Sequence, residues 1–91
     1  MEENMDEFYE RIEEKIKDAG YPGELSGFDV YDDISNLIED MEDGEYTLSS
    51  KELMENDGDY IEYTLQVFDS NFNLSAIDIH SDGSIYHVDF E

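Results

Sequence analysis

The sequence predicts an α+β fold: two N-terminal helices packed on one face of a three- to four-stranded antiparallel sheet. Three observations predict it. Apolar residues recur at three- and four-residue spacing through the first half of the chain, and they alternate with polar residues through the last third. An Asp-Gly pair then separates two of the alternating segments, a two-residue hairpin signal. With 91 residues and no internal repeat or linker, residues 1–91 form one domain.

The first helix spans residues 3–19. Met5, Phe8, Ile12 and Ile16 form its apolar stripe, and Ala19 extends it. Glu2, Glu3, Asp6 and Glu7 load its first turns while Lys15 and Lys17 sit near its end, a polarity that suits the helix dipole. Gly20-Tyr21-Pro22-Gly23 stops it. Residues 24–30 read as an extended link carrying Leu25, Phe28 and Val30. A second helix is expected from Ile34 to Asp43, N-capped by Asp32 or Asp33, with Ile34, Leu37, Ile38 and Met41 as its buried stripe and Gly44 at its end. Tyr46 to Ser49 suggests a short strand. Ser49-Ser50-Lys51-Glu52 fits a capping box opening one or two helical turns, and Asn56-Asp57-Gly58-Asp59 is a turn.

In the last third, Ile61, Tyr63, Leu65 and Val67 alternate with Glu62, Thr64 and Gln66, which marks a half-buried strand. Ser70 to Asn73 reads as a loop. With Asp82-Gly83 as a hairpin turn, Ile79 faces Tyr86, Ile77 faces Val88 and Asp78 faces His87, so the apolar pairs share one face. The other sheet face is expected to show Phe68, Leu74 and Ile85 among polar residues.

Twenty-seven acids against four Lys and Arg give a formal charge of −23. Such a balance raises the question of disorder. Leu, Ile, Val and Phe make up about 24% of the chain, above the roughly 20% below which disorder is the default. The charge excludes direct binding to nucleic-acid phosphate or an anionic membrane, both of which need clustered bases. No apolar run approaches the roughly 20 residues of a membrane span, and the N-terminal residues lack the positive region of a secretory signal. Without cysteine there is no disulfide framework or thiolate nucleophile. A cytoplasmic protein of a bacterial host cell is expected.

The acids concentrate in the middle. Residues 24–62 hold 14 acids and one base, among them Asp32, Asp33, Glu39, Asp40, Glu42, Asp43 and Glu45 around the expected second helix. Asp57, Asp59 and Glu62 are expected to join the same end of the molecule. Like charges one helical turn apart repel, and high net charge opposes compaction. These ten residues are therefore the candidate partner-binding set, directed at a strongly basic nucleic-acid-binding protein such as a CRISPR effector or nuclease. Tyr31, Tyr46 and Tyr60 would add a non-ionic grip. The plainer alternative is a solvated acidic face that serves solubility.

Through its size, its charge, its element order and runs such as Asp32-Asp33 and Glu39-Asp40-Met41-Glu42-Asp43, the chain resembles the small acidic inhibitors of phages and mobile elements. These include DNA-mimic anti-CRISPR proteins and the uracil-DNA glycosylase inhibitor. The resemblance implies an anti-defence inhibitor that occupies the nucleic-acid groove of a defence nuclease or DNA-processing enzyme. It aligns no motif, so no family's functional residues carry over. An immunity protein or antitoxin against a basic nuclease toxin would use the same electrostatics. An acidic adaptor binding through Phe68, Leu74 and Ile85 is a third class.

Asp78 to Asp89 partly fits a calcium loop, with acids at its first, fifth and twelfth positions and Gly83 at its sixth. Its third position is His80 and its flanks alternate like strands, so a hairpin is the better reading. Asp78, His80, His87 and Asp89 also form a possible metal set, against which stands a plain cross-strand Asp78–His87 pair. Ser81 and Ser84 lie near His80, but a hairpin tip has neither pocket nor oxyanion hole. The expectation is a non-enzyme without cofactor or metal, a monomer or weak dimer.

Overall fold

The computed structural model describes residues 5–90, with side chains from Glu7 onward. Helices α1 (Met5–Asp18) and α2 (Gly27–Ile38) precede strands β1 (Gly44–Ser50), β2 (Tyr60–Phe68), β3 (Asn71–Ser81) and β4 (Ser84–Asp89). The strands pair in chain order as an antiparallel meander. Both helices cover one sheet face, which is the α+β class that the sequence predicts. Ile12, Ile16, Val30, Ile34 and Ile38 from the helices meet Ile61, Tyr63, Leu65, Val67, Ile77, Ile79 and Val88 from the sheet in one core.

Helix α1 buries Ile12 and Ile16 of its stripe fully and packs Phe8 and Ala19 against the core, and Gly20 at φ +91° closes it. The left-handed conformation there suits glycine. Glu2, Glu3 and Asn4 lie outside the described residues, as do the side chains of Met5 and Asp6. Lys15 turns toward the sheet, donating to the Asp89 carbonyl at 2.9 Å and lying over the Phe90 ring.

Helix α2 corrects the expected boundaries at both ends. It starts at Gly27, where Ser26 Oγ accepts from the Asp29 N–H at 3.0 Å. Ser26, not Asp32 or Asp33, is the N-cap, and residues 27–30 are its first turn. The helix stops at Ile38. No basic residue stands in its last turn, and Glu39, Asp40, Glu42 and Asp43 follow. Continuing the helix would set four carboxylates on the negative end of its dipole. The acids instead occupy the turn into β1.

Strand β1 is longer than the expected Tyr46–Ser49. The capping box at Ser49–Glu52 opens no helix. Ser50 Oγ accepts from the Glu52 N–H, and Met54 N–H reaches the Lys51 carbonyl in a single turn. The expected loop at Ser70–Asn73 is mostly strand. Asp69 and Ser70 alone connect β2 to β3, both at positive φ, the type I′ hairpin geometry. Asp82-Gly83 makes the same turn between β3 and β4, with Ile79 facing Tyr86, Ile77 facing Val88 and Asp78 facing His87. That register is the one the sequence predicts.

A bulge corrects one face assignment. Thr64 pairs with Ala76 and Leu65 with Leu74, so Ser75 is an extra residue on β3. It returns Phe72 and Leu74 to the helix side, where both pack against the core. Leu74 therefore does not join Phe68 and Ile85, which are 42% and 63% exposed, on the open face.

Candidate partner-binding surface

The ten candidate acids do not form one surface. Gly44 pairs with Val67 and Ser50 with Ile61. Residues 39–45 therefore stand at the Val67 end of β2, while Asp57 and Asp59 precede Tyr60 at the other end. Nine strand residues separate the two groups by about 26 Å at roughly 3.3 Å per residue. The expectation that they share an end is corrected by the strand direction.

At the Val67 end, Glu39, Asp40, Glu42 and Asp43 are all exposed, and Asp69 joins them from the β2–β3 turn. The turn that carries them is tied down. Tyr46 OH donates to the Glu42 carbonyl at 2.8 Å, and the Asp69 N–H donates to Asp43 Oδ1 at 3.1 Å. This acidic pole thus consists of side chains on fixed backbone, the arrangement that the charge pattern leads one to expect but without a helix beneath it.

Asp33 is buried and belongs to the scaffold. Ser50 Oγ donates to its Oδ1 at 3.0 Å and Tyr63 OH to its Oδ2 at 2.7 Å, so it links α2 to β1 and β2. Burial, followed by the bond to Asp33 and its negative charge, pushes the Tyr63 phenol well above its usual range. Asp32, one residue earlier, is exposed and lines an open depression of about 720 Å³ with Asp29, Asn36 and Lys51.

Asp59 is half-buried and fastens the other hairpin. Its carboxylate accepts from the Asp82 N–H at 3.1 Å and from Ser81 Oγ at 3.2 Å. Asp57 is exposed beside it. Tyr21 packs nearby, its phenol raised by burial first and then by Asp59, Tyr86 and Glu55.

Glu45 and Glu62 lie on the open sheet face, Glu45 exposed and Glu62 half-buried. Glu62 faces Asp78 directly across β2 and β3. Each carboxylate has a histidine: His80 Nε2 sits 2.7 Å from Glu62 Oε1, and His87 Nδ1 sits 2.6 Å from Asp78 Oδ1. The bond to Asp78 and its charge raise the His87 pKa. The cross-strand Asp78–His87 pair is thus present. Among the described residues no group of three or more His, Cys, Asp or Glu is placed to hold a metal ion.

The three tyrosines expected to add a non-ionic grip are each half-buried. Tyr31 packs against Phe72 and Phe8, Tyr46 bonds Glu42, and Tyr60 stacks on His80 at 4.2 Å. Among the described residues, the exposed aromatic ring on the helix side is Phe28. Sequence reasoning missed it because residues 24–30 read as a link. The signal was the Ser26-x-x-Asp29 spacing before Val30 and Ile34, a helix start about two turns early.

No family model, no curated protein and no solved structure matches the chain. Among the described residues no helix is long and apolar enough to cross a membrane.

Proposed function

We propose that this chain is an acidic nucleic-acid mimic, an inhibitor that occupies the basic nucleic-acid groove of a defence nuclease or DNA-processing enzyme, in the manner of an anti-CRISPR or similar anti-defence protein. Charge density is the observation that carries the reading. Without Glu2, Glu3 and Glu91, which lie outside the described residues, the chain keeps 24 acids and 4 bases, a net of −20. The body that bears this charge is 35 Å long. Duplex DNA of the same length carries about 20 phosphate charges, at one per roughly 1.7 Å. A groove built to bind duplex phosphate therefore meets a comparable charge on a folded body of small size.

The acidic pole supports the same reading. Glu39, Asp40, Glu42 and Asp43 project from a turn held by Tyr46 and by the Asp69 amide. Their backbone is ordered before binding, which lowers the entropy lost on docking. Electrostatic steering would draw the basic groove toward this pole, and salt would weaken the attraction. Binding alone performs this function, with no catalytic step.

The test replaces Glu39, Asp40, Glu42 and Asp43 together by lysine. The expected variant stays folded, because all four side chains are exposed, and no longer captures a nucleic-acid-binding protein from host lysate. A quadruple variant that captures that protein as well as the parent does removes the proposal.

A further inference from the structure

Five aromatic rings form a continuous network across the helix side. Phe72 on β3 meets Tyr31 on α2 at 5.3 Å, Tyr31 meets Phe8 and Tyr9 on α1, and Tyr9 meets Phe28 edge-on at 5.7 Å. Four of the rings are half-buried. The outermost, Phe28, is 58% exposed.

Its position is fixed from beneath. Gly27 lies against the backbone of Tyr9, where any Cβ would overlap the Tyr9 carbonyl, and its N–H donates to Glu13 Oε2 at 2.8 Å. The first turn of α2 is thereby seated on α1, and Phe28 is held against Tyr9 with its outer side uncovered. Asp29 is next in sequence and Asp32 one helical turn on, both exposed. On a helix the i+4 residue shares a face with residue i, so the Asp32 carboxylate stands on the face that carries the exposed ring.

Charge decides what covers it. Nucleic-acid bases stack on such rings, but their phosphates would meet a body of net charge −23. An anionic membrane meets the same repulsion, and so does a second copy of the chain. A basic protein surface is complementary. Among cationic side chains arginine fits this arrangement best, because its planar guanidinium stacks on a ring while its edge N–H groups reach a carboxylate. The chain makes the same type of contact internally: the Arg11 guanidinium lies 5.5 Å from the Phe8 centroid, within the same network.

We propose that Phe28, with Asp32 one helical turn on, docks an arginine side chain of a basic protein partner. The proposal rests on the reading above that the partner is basic, and adds the contact point and the side chain it takes. It places recognition on α2, away from the acidic pole.

The test measures binding of fluorescently labelled arginine and lysine homopeptides of equal length to the full chain at low salt. Phe28→Leu is the probe variant, since it keeps apolar area and removes the π face. The parent should prefer the arginine peptide, and Phe28→Leu should reduce that preference about threefold or more while leaving lysine-peptide affinity unchanged. Asp32→Asn should weaken the arginine peptide more than the lysine peptide. Equal binding of both peptides to the parent, or a preference that survives Phe28→Leu, overturns the contact point while the basic-partner reading stands. Binding of neither peptide overturns both.

Discussion

Asp33→Ala separates scaffold from surface among the acids of this chain. The carboxylate of Asp33 receives a hydroxyl from Tyr63 at 2.7 Å and one from Ser50 at 3.0 Å, inside the contact between α2 and the sheet. Tyr63 is fully buried, so truncating Asp33 leaves its hydroxyl without a partner. An orphaned buried hydroxyl costs about 1–3 kcal/mol, and a lost bond to a charged group about 1.5–3 kcal/mol. Relief of the buried charge offsets part of this, and Ser50 retains its contact with the Glu52 amide. The expected net loss is about 3 kcal/mol. For a domain of this size that lowers Tm by roughly 12–24 °C, readable by circular dichroism. Partner capture by the fraction that remains folded should be unchanged. A Tm within about 2 °C of the parent would mean that Asp33 holds no buried hydroxyl, because a change smaller than roughly 0.5 kcal/mol is what an exposed, unengaged carboxylate gives. Loss of capture at unchanged Tm would return Asp33 to the binding surface.

Four further outcomes follow from the same contacts. Gly27→Ala should destabilise the fold by about 1–3 kcal/mol in a denaturant melt, because overlap with the Tyr9 backbone outweighs the roughly 1 kcal/mol of helix propensity gained. Tyr63→Phe should flatten the alkaline loss of stability. The phenol is raised in the folded state, so stability is full below its unfolded value near 10 and falls above it by about 1.4 kcal/mol per pH unit, a slope the variant lacks. His87 should titrate by NMR above the usual histidine value, and Asp78→Asn should bring it down. Its contribution to stability is full below the unfolded pKa and is lost as pH rises through the folded one. Added salt should raise Tm, since screening relieves repulsion within a chain of net charge −23.

Element type was legible wherever the period was unbroken. Ile12 and Ile16 marked α1, and the alternation Ile61, Tyr63, Leu65, Val67 marked β2. The hairpin at Asp82-Gly83 came out in register because both flanking strands alternate without interruption and the turn admits two residues. The Phe72–Leu74 segment did not, because Ser75 adds one residue and so reverses the face of everything before it. No local pattern announces such a bulge. For α2 the competing signals were two. Asp32 and Asp33 are good caps by residue type, yet Ser26 precedes them with an apolar stripe already running from Val30.

The candidate site was legible in charge but not in place. Exposed acids were recognisable from their density, and Glu39 to Asp43 do gather at one end. Asp33, Asp43 and Asp59 look the same in sequence as their neighbours, and each has a structural bond that only the tertiary fold assigns. The separation of Asp57 and Asp59 from the pole follows from the direction of β2, which composition does not encode. The exposure of Phe28 was not legible for a different reason: it is set by which residues pack beneath the ring, and residues 24–30 read as a link.

Whether a groove built for nucleic acid binds this protein instead is measured by capture from host lysate on the immobilised full chain at low salt, with DNA or RNA then added as competitor and the bound proteins identified by mass. Mimicry predicts a strongly basic nucleic-acid-binding protein that is retained at low salt and released by the added nucleic acid. A captured protein that still holds its own nucleic acid while bound, or a failure to retain any basic protein, would contradict it.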